Sequence, residues 1–422
     1  MLRKRPVIAV LLWLLGQPSL HAQPTWSPPS GLDPRDPIEI AAQSTLDPTA
    51  AILHAPVLFA GAPNALEVVR VDVSVFPPTA SPVPVATGNI FALGTMVSIP
   101  GEEGFSFVDG GFDARFGHCA PPCDNATNSP VVSGTFVDSD SAASANQFWV
   151  AALNNTVPRR LEIRTSPDGL VWTPLYNYTP PETGGVCGQY NGCGRINLVV
   201  DPTATDVASA LSCLTFDVKT SATTTERRIL CFVGSAPQVV TLIDTDIPYA
   251  DPVLDRLTDT ELYALLSDVM LDSAIGAYNH RQTNTVRAFQ FNPTTLALAG
   301  PVELGPAPLG SDPFGLSGVP VGGGAYRTLW SSAAGSGQPA YDFEWDPAID
   351  VVLPRPGPPA ESGPVSASAV NGFMMALLGG PPPLSLQDPH GGTGLAISSC
   401  PLPFFDDGFE TGNTLRWSAT SP

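Results

Sequence analysis

The chain has 422 residues, of which 14% are charged and 43% apolar, and it carries a formal net charge of −20. A field of that sign repels nucleic acid and anionic lipid, so neither is expected as a partner. Pro and Gly together reach about a fifth of the residues, below the share of roughly 25–30% that marks disorder, and with many Val, Leu, Phe and Thr this composition suits a turn-rich β fold.

Met1 to Ala22 has the layout of a secretory signal. Arg3, Lys4 and Arg5 form a basic start, Val7 to Leu15 a short apolar core, and Leu20-His21-Ala22 a small-residue cleavage site. The apolar core falls well short of the roughly 20 residues that span a bilayer, and no later run approaches that length, so no membrane span is expected. Loss of the signal would leave Lys219 as the only lysine. An extracytoplasmic location (periplasm, cell surface or medium) follows as an expectation, with the protein a monomer.

Residues 23–55 are rich in Pro, Asp and Ser and read as an N-terminal arm. From Pro56 a β rhythm begins. Leu66 to Phe76 alternates apolar and polar residues, PPTASPVPVATG reads as a loop, and IFALGTMVSI as a strand. Gly101 to Pro130 reads as loop-dominated. Four short strands then follow in order, Val131–Val137, Phe148–Leu153, Leu161–Thr165 and Val171–Tyr176, and a second set repeats them over Ile196–Val200, Leu211–Val218, Arg228–Val233 and Val239–Ile243. Four antiparallel strands make one propeller blade.

Later units show themselves by their openings. Asp251-Pro252-Val253, Asp312-Pro313-Phe314 and Gly363-Pro364-Val365 each precede an apolar run, as Ser129-Pro130-Val131 precedes Phe148–Leu153. Self-similarity at about 50–60 residues suits blades with loops. Thr258 to Leu271 also fits a capped helix, and the parallel with the other openings favours a strand there. The fold expected is all-β with little helix: a β-propeller-like domain over 56–400, of about six four-stranded blades, or seven, followed by a tail over 401–422. An unrelated β-sandwich is the alternative.

Seven cysteines in an exported chain read as a disulfide framework. Cys213 and Cys231 lie in two apolar runs that a hairpin centred near Ala222 would set opposite each other. Cys119 with Cys123, and Cys187 with Cys193, would tie off loops, which leaves Cys400 over. His118 beside the first pair lacks the second half of a zinc site. Asp138 and Asp140 resemble half a calcium loop without its Gly and closing Glu. No metal and no other cofactor is expected.

Ser166-Pro167-Asp168-Gly169-Leu170-Val171-Trp172 is a turn between two strands. It resembles the Asp-box of sialidase-like β-propellers, Ser-x-Asp-x-Gly-x-x-Trp, with one residue fewer between Asp and Gly. The resemblance implies a structural role on the rim, away from the ligand face, in which Asp168 braces the turn and Trp172 packs between blades. The end of the chain, Asp407-Gly408-Phe409-Glu410-Thr411-Gly412-Asn413 with Trp417-Ser418, resembles a short segment that ends many exported proteins of Gram-negative bacteria. A sorting or attachment signal and a closing strand docked on the last blade are both open for it.

Chemistry is less legible. Arg115, Arg195, Arg256, Arg281 and Arg327 form no assignable sialidase triad and read as solvated or rim residues. Asp251, Asp255, Asp312 and Glu344 hold comparable blade positions. Asp251, Asp312 and Glu344 are the candidate catalytic carboxylates, should they converge within about 5–10 Å as glycoside hydrolysis requires. The bland reading of the Asp-Pro pairs is a capped turn. The expected function is a binding or scaffold module for a glycan or a surface protein, with a carboxylate-based glycoside hydrolase as the alternative.

Overall fold

A computed structural model of the chain describes Trp26, residues 30–187 and 195–246 apart from a few short turns, and between 265 and 387 the strands with some of their connections. It is a β-propeller of seven antiparallel sheets, and no helix occurs among the described residues. Blade I comprises Pro37–Ile40 with Thr45–Asp47, then Ile52–Phe59, Ala65–Asp72 and Thr79–Thr87. Blade II comprises Ile90–Leu93 with Val97–Ile99, then Glu102–Asp109, Ala114–Cys119 and Thr127–Val132. Blade III is Phe136–Ala143, Phe148–Asn154, Arg160–Ser166 and Thr173–Tyr178. Blade IV is Asn197–Val200 with Val186–Cys187, then Leu211–Lys219, Thr225–Val233 and Ala236–Asp246. Blade V is Leu265–Asp268, Ala274–His280, Thr285–Asn292 and Ala297–Pro306. Blade VI is Leu316–Pro320, Tyr326–Trp330, Tyr341–Asp346 and Val351–Arg355. Blade VII is Val365–Val370, Phe373–Gly379, Leu384–Gln387 and, as its outermost strand, Ser30–Asp33 from the other end of the chain.

The count is seven, the larger of the two numbers expected from sequence. Three stretches had been assigned differently. The Pro-rich stretch taken for a loop is the strand Thr79–Thr87, paired with Ala65–Asp72. Pro82 and Pro84 are tolerated because this is an outermost strand, where a missing amide removes no ladder bond on its open side. Gly101–Pro130, read as loop-dominated, holds three strands of blade II, and the expected strand Val131–Val137 divides between the outer edge of blade II and the inner strand of blade III. Residues 30–47, read as part of an arm, contribute strands to blades VII and I. The ambiguous stretch 258–271 contains a strand at Leu265–Asp268. The signal segment and the tail lie outside the described residues.

Blade faces pack on blade faces, so a middle strand is buried on both sides and its sequence loses alternation. Phe148–Asn154 (FWVAALN) is buried throughout. Trp149, Ala151 and Leu153 pack towards blade IV, against Leu198, Leu214 and Phe232, while Phe148, Val150 and Ala152 pack towards blade II, against Val108, Ala114 and Phe116. Cys213 and Cys231 are direct partners in the hairpin register and form a disulfide with Cα atoms 4.1 Å apart. Cys119 and Cys123 form a second disulfide, Cα atoms 5.0 Å apart. Cys193 and Cys400 lie outside the described residues.

The N-terminal residues close the ring. Ser30 pairs with Leu386 and Gly31 with Ser385, so blade VII is built from both ends of the chain. Arg35 joins this strand to blade I through Asp33 (2.8 Å) and Glu67 (2.7 Å), its guanidinium 4.0 Å from the Phe59 ring centroid. Further back, Trp26 is buried against blade VI. Its indole N–H donates to Asp342 Oδ2 (3.1 Å), and Arg327, paired with Asp342, lies 5.6 Å from its ring centroid. Trp26→Ala should cost about 3 kcal/mol, the usual scale for emptying a buried tryptophan site. Urea unfolding would show it as a lower midpoint with an unchanged slope.

Candidate functional site

Two regions qualify on chemistry: the propeller axis and a recess in blade V. At the axis, Asp138 and Asp140 stand on the inner strand of blade III and are fully buried. Asp140 Oδ1 accepts the Thr95 N–H of blade II (2.8 Å) and its Oδ2 the Leu198 N–H of blade IV (2.8 Å). Asp138 Oδ2 accepts the Ile196 N–H (2.9 Å) and its Oδ1 the Ser139 N–H (2.9 Å). Ser141 Oγ donates to Thr95 O (2.7 Å) and accepts the Ser106 N–H (2.9 Å). Glu39 of blade I accepts the Leu93 N–H of blade II (3.0 Å) and pairs with Arg195, which enters from blade IV and also donates to Leu93 O (3.3 Å). Gln43 of blade I donates to Gly318 O of blade VI (3.0 Å).

Asp138 titrates at about 7: burial disfavours its charged form, and Arg195 and the Ile196 N–H only partly offset this. Burial likewise pushes Asp140 up, against its backbone donors. Shifts of this kind often mark catalysis. Here both carboxylates are enclosed and each oxygen is committed to a main-chain donor. A general acid or base must reach its substrate, so this group reads as a structural hub. It corrects two expectations from sequence: Asp138 and Asp140 lie on a strand and bind amides, and Arg195 and Arg327, read as rim residues, are buried.

The sequence candidates fall elsewhere. Asp251 and Asp312 lie outside the described residues. Glu344 is on the third strand of blade VI, opposite Leu353 and Arg327, and is paired with Arg355. In the turn at 166–172, Asp168 Oδ1 accepts the Ser166 hydroxyl (3.0 Å) and the Leu170 and Val171 amides (2.9 and 3.2 Å). The two amides hold the Asp168 carboxyl below the ordinary range. Gly169 adopts φ +68°, where a side chain is disfavoured. The Trp172 indole donates to Gly169 O (3.1 Å), and its ring lies 5.0 Å from Phe116 of blade II.

One further cluster has metal-ligand chemistry. His54 Nδ1 lies 2.7 Å from Glu103 Oε2, and Cys123 Sγ lies 4.0 Å from that oxygen. The Cys123 sulfur is bonded to Cys119, so the thiolate that a metal would need is absent. The His–Glu pair ties blade I to blade II.

The recess in blade V is open. It has a volume of about 250 Å³ and is lined by Ser273, Gln290, Asn292, Ala297, Leu298 and Ala299. Strand alternation places Gln290 and Asn292 on the face that carries Ala288 and Val286 against blade VI. Gln290 Nε2 donates to Ser273 Oγ (3.0 Å). Asn292 Oδ1 braces the following turn by accepting the Thr294 and Thr295 amides (2.9 and 2.8 Å). Gln290 Oε1 and Asn292 Nδ2 therefore remain as one acceptor and one donor above a small apolar surface. The recess sits at the turn between the third and fourth strands, as the 166–172 turn does in blade III. Nothing in the sequence singled these residues out, because no motif carries them.

The axial hub generates a pH prediction. A carboxyl whose folded pKa is raised binds its proton in the native state while the unfolded chain has already lost it, so stability declines as pH rises from the unfolded value towards about 7. The urea midpoint should therefore fall between about pH 4 and 7, and Asp138→Asn should flatten that fall. Arg195→Ala leaves the half-buried Glu39 with the Leu93 N–H but without its counter-charge and should cost about 2–3 kcal/mol. It should also move the Asp138 titration higher, because Arg195 now lowers it.

No protein-family model matches the chain, and no characterised protein matches its sequence. Solved structures do resemble it. The BP39L lectin from Burkholderia pseudomallei superposes with a TM-score of 0.55 at 12% identity, over 85% of this chain and 98% of that one. AofleA from Arthrobotrys oligospora reaches 0.47 at 13% identity, over 79% and 91%, and the Hadza microbial sialidase Hz136 reaches 0.43 at 11% identity, over 80% and 72%. At these identities the likeness is one of fold: the chain is a β-propeller.

Proposed function

We propose that the protein is an exported, carbohydrate-binding β-propeller, and that the sugar is held in the blade V recess, not at the axis. The observation that carries this is the pairing of an unspent amide donor and acceptor, Asn292 Nδ2 and Gln290 Oε1, with a small apolar surface in an open cavity. Ligand sites combine these two features, a few placed polar groups on an apolar lining. A single sugar unit presents the same combination, hydroxyls around a ring with C–H faces. The neighbour at TM-score 0.55 is a lectin, which agrees with this reading. The axial carboxylates Glu39, Asp138 and Asp140 are all engaged, so none of these three is offered as a catalytic group, and a hydrolase would have to rest on Asp251 and Asp312. Two disulfides and the basic-apolar start of the sequence support export.

The test is to expose the chain from Gln23 onward to a panel of polysaccharides and glycosides, recording bound fraction and released reducing ends together. Binding without release is expected. Gln290→Ala should weaken it about tenfold, the equivalent of one hydrogen bond of roughly 1.4 kcal/mol. Release that disappears in Asp251→Asn or Asp312→Asn would establish a hydrolase instead. Absence of binding across the panel would turn the search to a surface protein as the partner.

A further inference from the structure

We infer that the bound sugar unit is uncharged, so that the protein selects neutral glycans against sialylated or uronate-bearing ones; this rests on the reading of the recess given above. Two independent observations carry it. The first is the lining: among the described residues, Ser273, Gln290 and Asn292 supply hydroxyl and amide groups, the other three are Ala and Leu, and none is charged. A carboxylate placed there would lose water without gaining a counter-charge, which costs far more than burying a hydroxyl that finds an amide partner.

The second is the state of the cations elsewhere. Every arginine that the structure describes, except Arg159, is already paired with a carboxylate. Arg159 donates to Asn155 Oδ1. Lys219, the one described lysine, ends a strand of blade IV and does not line the recess. Recognition of an anionic sugar normally uses a guanidinium as a bidentate partner. Among the described residues these guanidinium groups already have carboxylate partners, within a blade or between blades. The formal charge of −20 adds a repulsive field at longer range.

Calorimetric titration of the chain from Gln23 with methyl glycosides of neutral hexoses, with 3′-sialyllactose and with a methyl glucuronide tests the inference. A neutral glycoside should bind most tightly, and its affinity should change less than about twofold between roughly 0.01 and 1 M salt, over which the Debye length falls from about 30 to 3 Å. Asn292→Asp keeps the oxygen that accepts the Thr294 and Thr295 amides and exchanges the Nδ2 donor for a second oxygen. It should reduce neutral binding at least about tenfold while leaving the urea midpoint unchanged. Tighter binding of 3′-sialyllactose or the glucuronide would overturn the inference and leave the carbohydrate reading standing. Binding that ignores Asn292→Asp would place the sugar elsewhere and overturn the inference. Binding of no glycoside would overturn both.

Discussion

The innermost strand of every propeller blade has one edge without a strand partner, and the amides on that edge must find acceptors or remain unsatisfied in a buried place. In this protein side chains meet that need. Asp140 takes amides from blades II and IV at once, Asp138 takes one from the start of blade IV, and Glu39 takes one from blade II. Four successive blades are thereby joined through hydrogen bonds accepted by carboxyl groups. Their burial raises the pKa of Asp138 and Asp140, and Arg195 supplies the compensating charge to Glu39 and Asp138. A carboxyl-rich axis is thus part of how the ring is held, which explains why strongly perturbed acids occur here without an open active site around them.

Away from the axis the same device recurs between blade faces. Arg227 pairs with Asp217 in blade IV and lies 5.0 Å from the Tyr278 ring centroid of blade V. Arg327 pairs with Asp342 in blade VI and meets the ring of Trp26. Arg35 joins Asp33 to Glu67 and covers Phe59. Each guanidinium is neutralised by a carboxylate and rests on an aromatic ring, so a charge can be buried at an inter-blade seam without an uncompensated loss of hydration.

The fold and the recess bear differently on function. A propeller is a scaffold that hosts many activities, so the architecture narrows the function little. The recess is small, polar on one side and apolar on the other, and stands beside a turn that Asn292 itself braces. A group that serves both the turn and the cavity is held in one orientation by its backbone contacts, which is the preorganisation that binding of a small ligand needs.

The sequence by itself determined the β architecture, the repeat of four short strands, and the Cys213–Cys231 pairing, because strand alternation and hairpin register are local properties that residue spacing encodes. The 166–172 turn was legible for the same reason: Ser166, Asp168 and Gly169 act on backbone two or three residues away. Only the tertiary structure decided the number of blades, since Pro82 and Pro84 read as loop unless the strand is known to be an outer edge, and Ser30–Asp33 finds its partner some 350 residues further along the chain. The roles of Asp138, Asp140 and Arg195 were also invisible, because each depends on which amides and charges the ring closure brings within 3 Å or so of it. The recess was illegible for a simpler reason. Gln290 and Asn292 are ordinary strand residues and Ser273 directly precedes a strand, and only their convergence in blade V sets them apart.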